Sequence, residues 1–221
     1  MESIIKPNKE IEEEVRKQLA PLFAVFYTDS PRFEIYKRHI PQFIERMRKP
    51  KVLLTTLAET MNICASAQEK TSYPRVRVFI GAVTYLAFAE IYVDIFVNQV
   101  ILLLIAGGHD LHLEPDYKHR YTRHVNSLED LDSPALSLSV KLDFLEVNGV
   151  PFFSKWIDRP LRNKIAHLEF EINDNGEFFI FEEKGRKKVD LFRKLQTLAE
   201  YFNAFTDFFL EQITKKTGQK V

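Results

Sequence analysis

The chain has 221 residues, 45% hydrophobic and 28% charged, the balance of a globular protein with a sizeable core and not of a disordered tail. Lysine plus arginine number 31, matched by 31 aspartates and glutamates, so no whole-molecule field gathers a polyanion and any nucleic-acid site has to be local. Cys64 is the single cysteine, which excludes an internal disulfide and a thiolate zinc site within one chain and fits a reducing cytoplasm.

The opening MESIIKPNKEIEEE is acidic and lacks the basic and apolar regions of a secretory signal, so a cytoplasmic location is expected. Over residues 8–27, Ile11, Val15, Leu19, Leu22, Phe23 and Phe26 recur every three to four positions and predict a helix with one apolar face. Pro21 is expected to bend or interrupt it. A second helix is predicted from Ser30-Pro31, serine as cap and proline in the first turn, with Pro41 breaking its pattern. Pro50 opens a third, through about Gln68.

Tyr73 to Ala106 is the longest helical candidate, and Gly107-Gly108 supplies its stop. Its apolar part, from Val78, is long enough to span a bilayer. Glu90 and Asp94 sit mid-span, where an acid costs roughly 2.5–3.5 kcal/mol, so a buried core helix is the cheaper reading and no membrane is expected. The polar stretch after it reads as a surface loop. Ser133-Pro134 restarts helix to a Gly149 stop, although Leu136, Leu138, Val140, Leu142 and Phe144 also alternate at period two and leave strand open. The next helix, from Pro151, carries Trp156 and the Arg162 segment, interrupted by Pro160. Phe170 and Ile172, then Phe178 and Ile180, flank Asn173-Asp174-Asn175-Gly176 and predict a β-hairpin over 170–181. Leu191, Leu195, Leu198, Phe202, Phe205 and Phe209 restore helical spacing to the end.

In LRNKIAHLEF, Arg162 and His167 are five positions apart, about 140° around a helix, so one face does not present both. Asn163 and His167 share a face and Arg162 stands at its edge. A second copy packed antiparallel across a two-fold axis would bring two histidines and two arginines around one cleft, a geometry that suits a phosphodiester. A homodimer is therefore expected.

The string Arg162-Asn163-Lys164-Ile165-Ala166-His167 resembles the Rx4-6H motif of the HEPN (higher eukaryotes and prokaryotes nucleotide-binding) superfamily. The likeness covers about residues 75 to 215. It implies an all-α HEPN-like helical bundle over 71–221 with the hairpin as an insertion, preceded by an N-terminal helical extension over 1–70. It further implies a dimeric, metal-independent endoribonuclease without a cofactor, a toxin or antiviral effector by analogy. The alternative it leaves is a non-catalytic module that binds nucleotides or a partner such as an antitoxin or a nucleotidyltransferase.

Residue chemistry fits the first of these. RNA carries a 2′-hydroxyl that attacks the adjacent phosphate once a base removes its proton, and a histidine, with an ordinary pKa of about 6.5, takes or gives that proton. His167 is the expected general base or acid. Arginine's planar fork of donors matches the charge that builds on the phosphoryl oxygens, a task for Arg162. Asn163 either bonds a phosphate, orients His167 or serves the fold alone. Lys164 and Arg159 are the adjacent cations expected to contact RNA. Amides freed at Pro160 would favour an anion.

Glu90, Asp94 and Asn98, at i, i+4 and i+8 on the long helix, either face the motif helix and orient Arg162 or His167, or form a surface-facing stripe or a structural ion pair. Lys184, Arg186, Lys187 and Lys188 form a basic run, either a phosphate track or a solvated turn. His109, His112, Glu114, His119 and His124 lack the spacing of a metal site, and no metal is expected.

Overall fold

The structure is a computed structural model that describes residues 8–27, 31, 33–34, 36–42, 44–46, 56, 59, 73–109, 112–113, 123–124, 131 and 136–217. Helix accounts for 75% of these residues, which makes the fold mainly α.

Helix α1 (Lys9–Phe23) is capped by Asn8, whose side chain accepts the Ile11 N–H, and places Glu10 and Glu12 in the positive first turn. Pro21 lies inside it without ending it. One backbone bond is lost there, but Leu19 and Phe23 are buried on either side and hold the turn. The expected interruption comes later, as a tightening into a 3₁₀ turn at Ala24–Tyr27. The described residues between 31 and 46 are helical through Pro41, so no break occurs there. Phe33, Tyr36 and Ile40, at i, i+3 and i+7, bury one face and keep the pattern running. The helix expected from Pro50 to Gln68 and the Ser30 and Ser133-Pro134 starts lie outside the described residues, save positions 56 and 59, both helical.

Helix α2 runs Pro74–Ala106, with proline in its first turn and a π-helical segment at Phe88–Val93. Its length and the mean hydropathy of 1.9 over its most apolar window would let it cross a membrane, yet 79% of that window is buried inside the protein. Helix α3 (Leu138–Val147) starts at Ser137, whose hydroxyl accepts the Val140 N–H. The period-two alternation therefore resolves as helix. Helix α4 (Phe152–Trp156) and helix α5 (Arg159–Ala166) are separate, with Pro160 in the first turn of α5. Helix α6 (Leu191–Thr217) closes the chain along α1 and the first half of α2.

One apolar cluster joins these helices, and Val15, Leu19 and Phe23 of α1 belong to it together with α2 and α6. Phe96 and Phe205 stack at 4.0 Å between centroids, and Phe23 meets Phe208 and Phe209 edge-on at 5.4 and 5.3 Å. Trp156 of α4 stacks on Tyr201 at 4.5 Å. Burial pushes the Tyr201 hydroxyl up to about 12, helped by the Glu14 carboxylate that accepts its proton at 2.8 Å.

Within the stretch read as a loop, β1 (His112–Leu113) pairs antiparallel with β2 (Arg123–His124). The expected hairpin is a three-stranded antiparallel sheet: β3 (Phe170–Ile172), β4 (Phe178–Glu182) and β5 (Gly185–Lys188). Strand β5 reads Gly-Arg-Lys-Lys and is exposed throughout, so no apolar alternation announces it. Its partners are carboxylates: Arg186 to Glu171 at 2.9 Å, Lys187 to Glu182 at 3.4 Å, and Lys188 to Glu177. The first turn needs Gly176, which has φ 73° and abuts α2 so closely that a Cβ would lie 2.7 Å from that of Pro74. Arg75 of α2 pairs with Asp174 beside it.

Three helices end in the same way. The amides of Gly108 and His109 bond back to Ile105 and Leu104, those of Gly149 and Val150 to Glu146 and Leu145, and those of Leu168 and Glu169 to Ile165 and Lys164, at 2.7–3.1 Å. The left-handed position is glycine in the first two, with φ 98° and 80°, and leucine in α5, with φ 58°. Leu168 is 72% exposed. Leu168→Gly therefore removes backbone strain and little packing, and should raise stability by about 0.5–1 kcal/mol in urea unfolding. A loss of stability would show that the side chain has a contact outweighing that strain.

The other end of α5 rests on Asp158, whose carboxylate accepts the Leu161 N–H at 3.1 Å and pairs with Lys194 of α6 at 2.8 Å. Desolvation pushes this carboxyl up, but the bonds from Lys194 and Leu161 and the charges of Lys194 and Lys187 outweigh it, so it titrates below its ordinary 3.8. A depressed carboxyl contributes stability that is present above 3.8 and lost as pH falls through the lower folded value. Asp158→Asn keeps a capping oxygen and loses the charge. Its deficit against wild type in chemical unfolding should be constant from pH 7 to 5 and close below pH 4; a deficit independent of pH would remove the ion pair from the account.

Candidate functional site

Helix α5, eight residues long, carries the motif from Arg162 to Ala166, with His167 as its C-cap. Leu161 and Ile165, one turn apart, are buried and seat the helix, which packs against the first half of α2. Its start is tied to α2 a second time, since the Asp158 N–H donates to the Tyr85 hydroxyl at 3.2 Å. Burial and the nearby Asp158 charge push that phenol well above its ordinary range, so it stays protonated. The first-turn amides expected to attract an external anion already have one: Asp158 itself.

Arg162 points at α2. Its Nε donates to Glu90 Oε1 and its Nη2 pairs with the same oxygen, while Nη1 donates to Asn163 Oδ1 at 2.8 Å. The guanidinium carries five N–H donors. With Nε engaged and one hydrogen used on each terminal nitrogen, one N–H remains on each of Nη1 and Nη2 as far as the described residues go. The side chain keeps 23% of its surface exposed. Glu90 thus holds the guanidinium, and among the described residues two of its N–H donors are left for an oxyanion.

Glu90 lies inside the π segment of α2. The structure brings Arg162, Asn163 and Glu90 together, a contact that both an orienting carboxylate and a structural ion pair would make. The side chain of Asp94 lies outside the described ones, and Asn98 is buried, 1% exposed. The wider π turn changes the register that an i, i+4, i+8 ladder assumes.

His167 sits one position beyond the helix, in its C-cap, with its N–H bonded to the Asn163 carbonyl at 3.0 Å. The residue is exposed, and its imidazole makes no hydrogen bond among the described residues. Five residues of helical rise separate it from Arg162 by about 7.5 Å along the axis and about 140° around it. Lys164 pairs with Glu169, holding that carboxyl below its ordinary value through a hydrogen bond and its charge, with His167 adding to the effect. Lys164 and His167 therefore flank one carboxylate.

Arg159 has other engagements. It donates to Asp143 at 2.6 Å, Glu146 at 3.2 Å and the Ser154 hydroxyl at 2.7 Å, joining α3 and α4 to the start of α5. An RNA contact would have to displace these. Sequence reading passed over Asp158, whose placement two residues before Pro160 is a capping signal, and over Tyr85 and Lys194, which only tertiary packing brings near. Among the described residues no three histidines, cysteines or carboxylates gather as a metal site would require.

Comparison with protein-family models, with curated proteins and with solved structures finds no match for this chain.

Proposed function

We propose that the chain is a metal-independent endoribonuclease that cuts single-stranded RNA, working as a cytoplasmic homodimer of HEPN type, in the manner of a toxin or antiviral effector. One observation carries the reading: a short helix offers an arginine with two N–H donors unspent among the described residues, and an exposed imidazole one position past its end. Glu90 and Asn163 hold the fork so that little rotamer entropy is lost when a phosphate arrives.

In the reaction, His167 takes the proton of a 2′-hydroxyl as that oxygen attacks the adjacent phosphorus. The phosphoryl oxygens gain charge and meet the free donors of Arg162. The bond to the 5′-oxygen breaks, and the histidine of the second copy protonates that leaving oxygen, giving a 2′,3′-cyclic phosphate and a 5′-hydroxyl. The 140° offset on one helix is the reason two copies are invoked.

Helix α2 supplies the surface for pairing. Val76, Phe79 and Val83 are 44%, 48% and 39% exposed, and with Glu90 they follow the 3-4-7 spacing of a single helix face. An exposed apolar stripe leading to the Arg162 partner suits burial by a second copy. The same stripe also favours the second reading, a non-catalytic module that docks a partner protein such as an antitoxin or nucleotidyltransferase.

Purified protein is expected to cut single-stranded RNA in the presence of chelator, to leave cyclic-phosphate or 3′-phosphate ends, and to spare DNA. His167→Ala should lower the rate by about 10² to 10⁴ with folding unchanged. Arg162→Lys keeps the charge and loses the fork, so it too should be severely impaired. Cutting that requires magnesium, or persists unchanged in His167→Ala, transfers the site to the binding-module reading. Sedimentation at micromolar concentration should give twice the chain mass, and Phe79→Glu should give the monomer; a wild-type monomer at that concentration would falsify the paired cleft.

A further inference from the structure

The ribonuclease reading leaves the outer face of the sheet without a task, yet that face begins two residues after His167. The Phe181 N–H donates to the Glu169 carbonyl at 3.2 Å, extending the β3–β4 ladder toward the motif. On the other side Phe181 pairs with Arg186 of β5, and Phe179 with Glu171 and Lys188. Directly paired residues project from the same face. This face therefore holds two aromatic rings in a row down the middle strand, flanked by charges on both outer strands, while Phe178 and Ile180 on the opposite face are buried.

The two rings differ in state. Arg186 lies over the Phe179 ring at 4.6 Å and reaches Glu171 with two bonds of 2.9 and 3.0 Å. A flat cation already stacks there. Phe181 is 44% exposed and makes no ring contact among the described residues. One bare ring between charged neighbours is far too small for the several-hundred-Å² apolar patch that marks a protein interface. Its π face matches a single planar heterocycle. Paired strands lie about 5 Å apart, which puts the ring on the order of 10 Å from the His167 imidazole, within the span of a short single strand.

We infer that Phe181 is a stacking site for one base of the RNA whose phosphate is held at Arg162, with Arg186 and Lys188 on the same face to follow the backbone. This rests on the ribonuclease reading. The carboxylates that now pair with these cations do not bar the role: Arg186 and Lys188 are 53% and 62% exposed, and ion pairs at such exposure are weak enough to exchange for phosphate.

The test uses the full chain, a fluorescent 2′-O-methyl RNA that cannot be cut, the same oligonucleotide with single abasic positions, and unmodified RNA for cleavage. Phe181→Ala should weaken binding about 5- to 150-fold, the worth of one stacked base, and Phe181→Tyr should bind within about threefold of wild type, since a phenol keeps the π face. One abasic position should weaken wild type by a similar factor and cost Phe181→Ala nothing more. Thermal unfolding of both variants checks that the exposed substitutions leave the fold intact. If wild type cuts RNA while Phe181→Ala binds as tightly, or loses equal affinity for every abasic position, the stacking site is refuted and the ribonuclease reading stands. If wild type neither binds nor cuts RNA, the reading fails and takes this inference with it, leaving a protein partner as the occupant.

Discussion

A helix of eight residues does not persist alone in water, because nucleation costs more than two turns of hydrogen bonds return. Everything at this site depends on how α5 is held. Its start is fixed by the Asp158 carboxylate on the Leu161 amide and by Lys194 of α6, and its middle by burial of Leu161 and Ile165. Its end folds back through Leu168 and Glu169 onto Ile165 and Lys164. Of the residues that would do chemistry, Arg162 also ties α5 to Glu90 of α2, while His167 has no side-chain hydrogen bond among the described residues. Leucine in the left-handed position where α2 and α3 use glycine stores strain next to the exposed histidine, and strain of that kind gathers where a backbone must present a group in one orientation.

The opposing wall is α2, and its sequence is a compromise. An apolar helix that is largely buried has little tolerance for an acid, so Glu90 needs a cation near the surface of the core. Arg162 is that cation. The π segment at Phe88–Val93 widens the helix at this point. Such segments occur often at functional sites, where an offset in side-chain register is worth the poorer hydrogen bonding. Arginine and glutamate consequently meet at an edge of the molecule, with 23% and 38% of their side chains exposed, and not in the interior where desolvation would outweigh their attraction.

Much of this was readable before any coordinates. The long central helix, its glycine stop, the hairpin turn and the closing helix follow from periodicity and from residues with one dominant conformational use. Prolines misled, because the roughly 3 kcal/mol cost of an interior proline is local while the burial of Leu19 and Phe23, or of Phe33, Tyr36 and Ile40, is collective. Strand β5 was invisible because its stability comes from main-chain pairing and cross-strand ion pairs, neither of which leaves an apolar rhythm. Arg162 and His167 could be singled out by residue type and spacing. The engagement of Arg159 could not, since Asp143 and Glu146 reach it from another helix.

A neutral chain would face a particular constraint in binding a polyanion. With 31 cations balanced by 31 carboxylates, and with Arg159, Arg162, Lys164, Arg186, Lys187 and Lys188 each paired to an acid, it has no long-range field to steer RNA by counterion release alone. On the ribonuclease reading the exposed pairs would act as reserved donors. Each yields little energy where it stands, so trading a carboxylate for a phosphate is nearly neutral and contributes more to register than to affinity. Affinity has to come from elsewhere, and the terms open to such a surface are stacking and the fork of a preorganised arginine. That division explains why a site with so little net charge, if it cuts RNA, would select the single strand: only there are the bases unstacked and the 2′-hydroxyl free to line up with the phosphate.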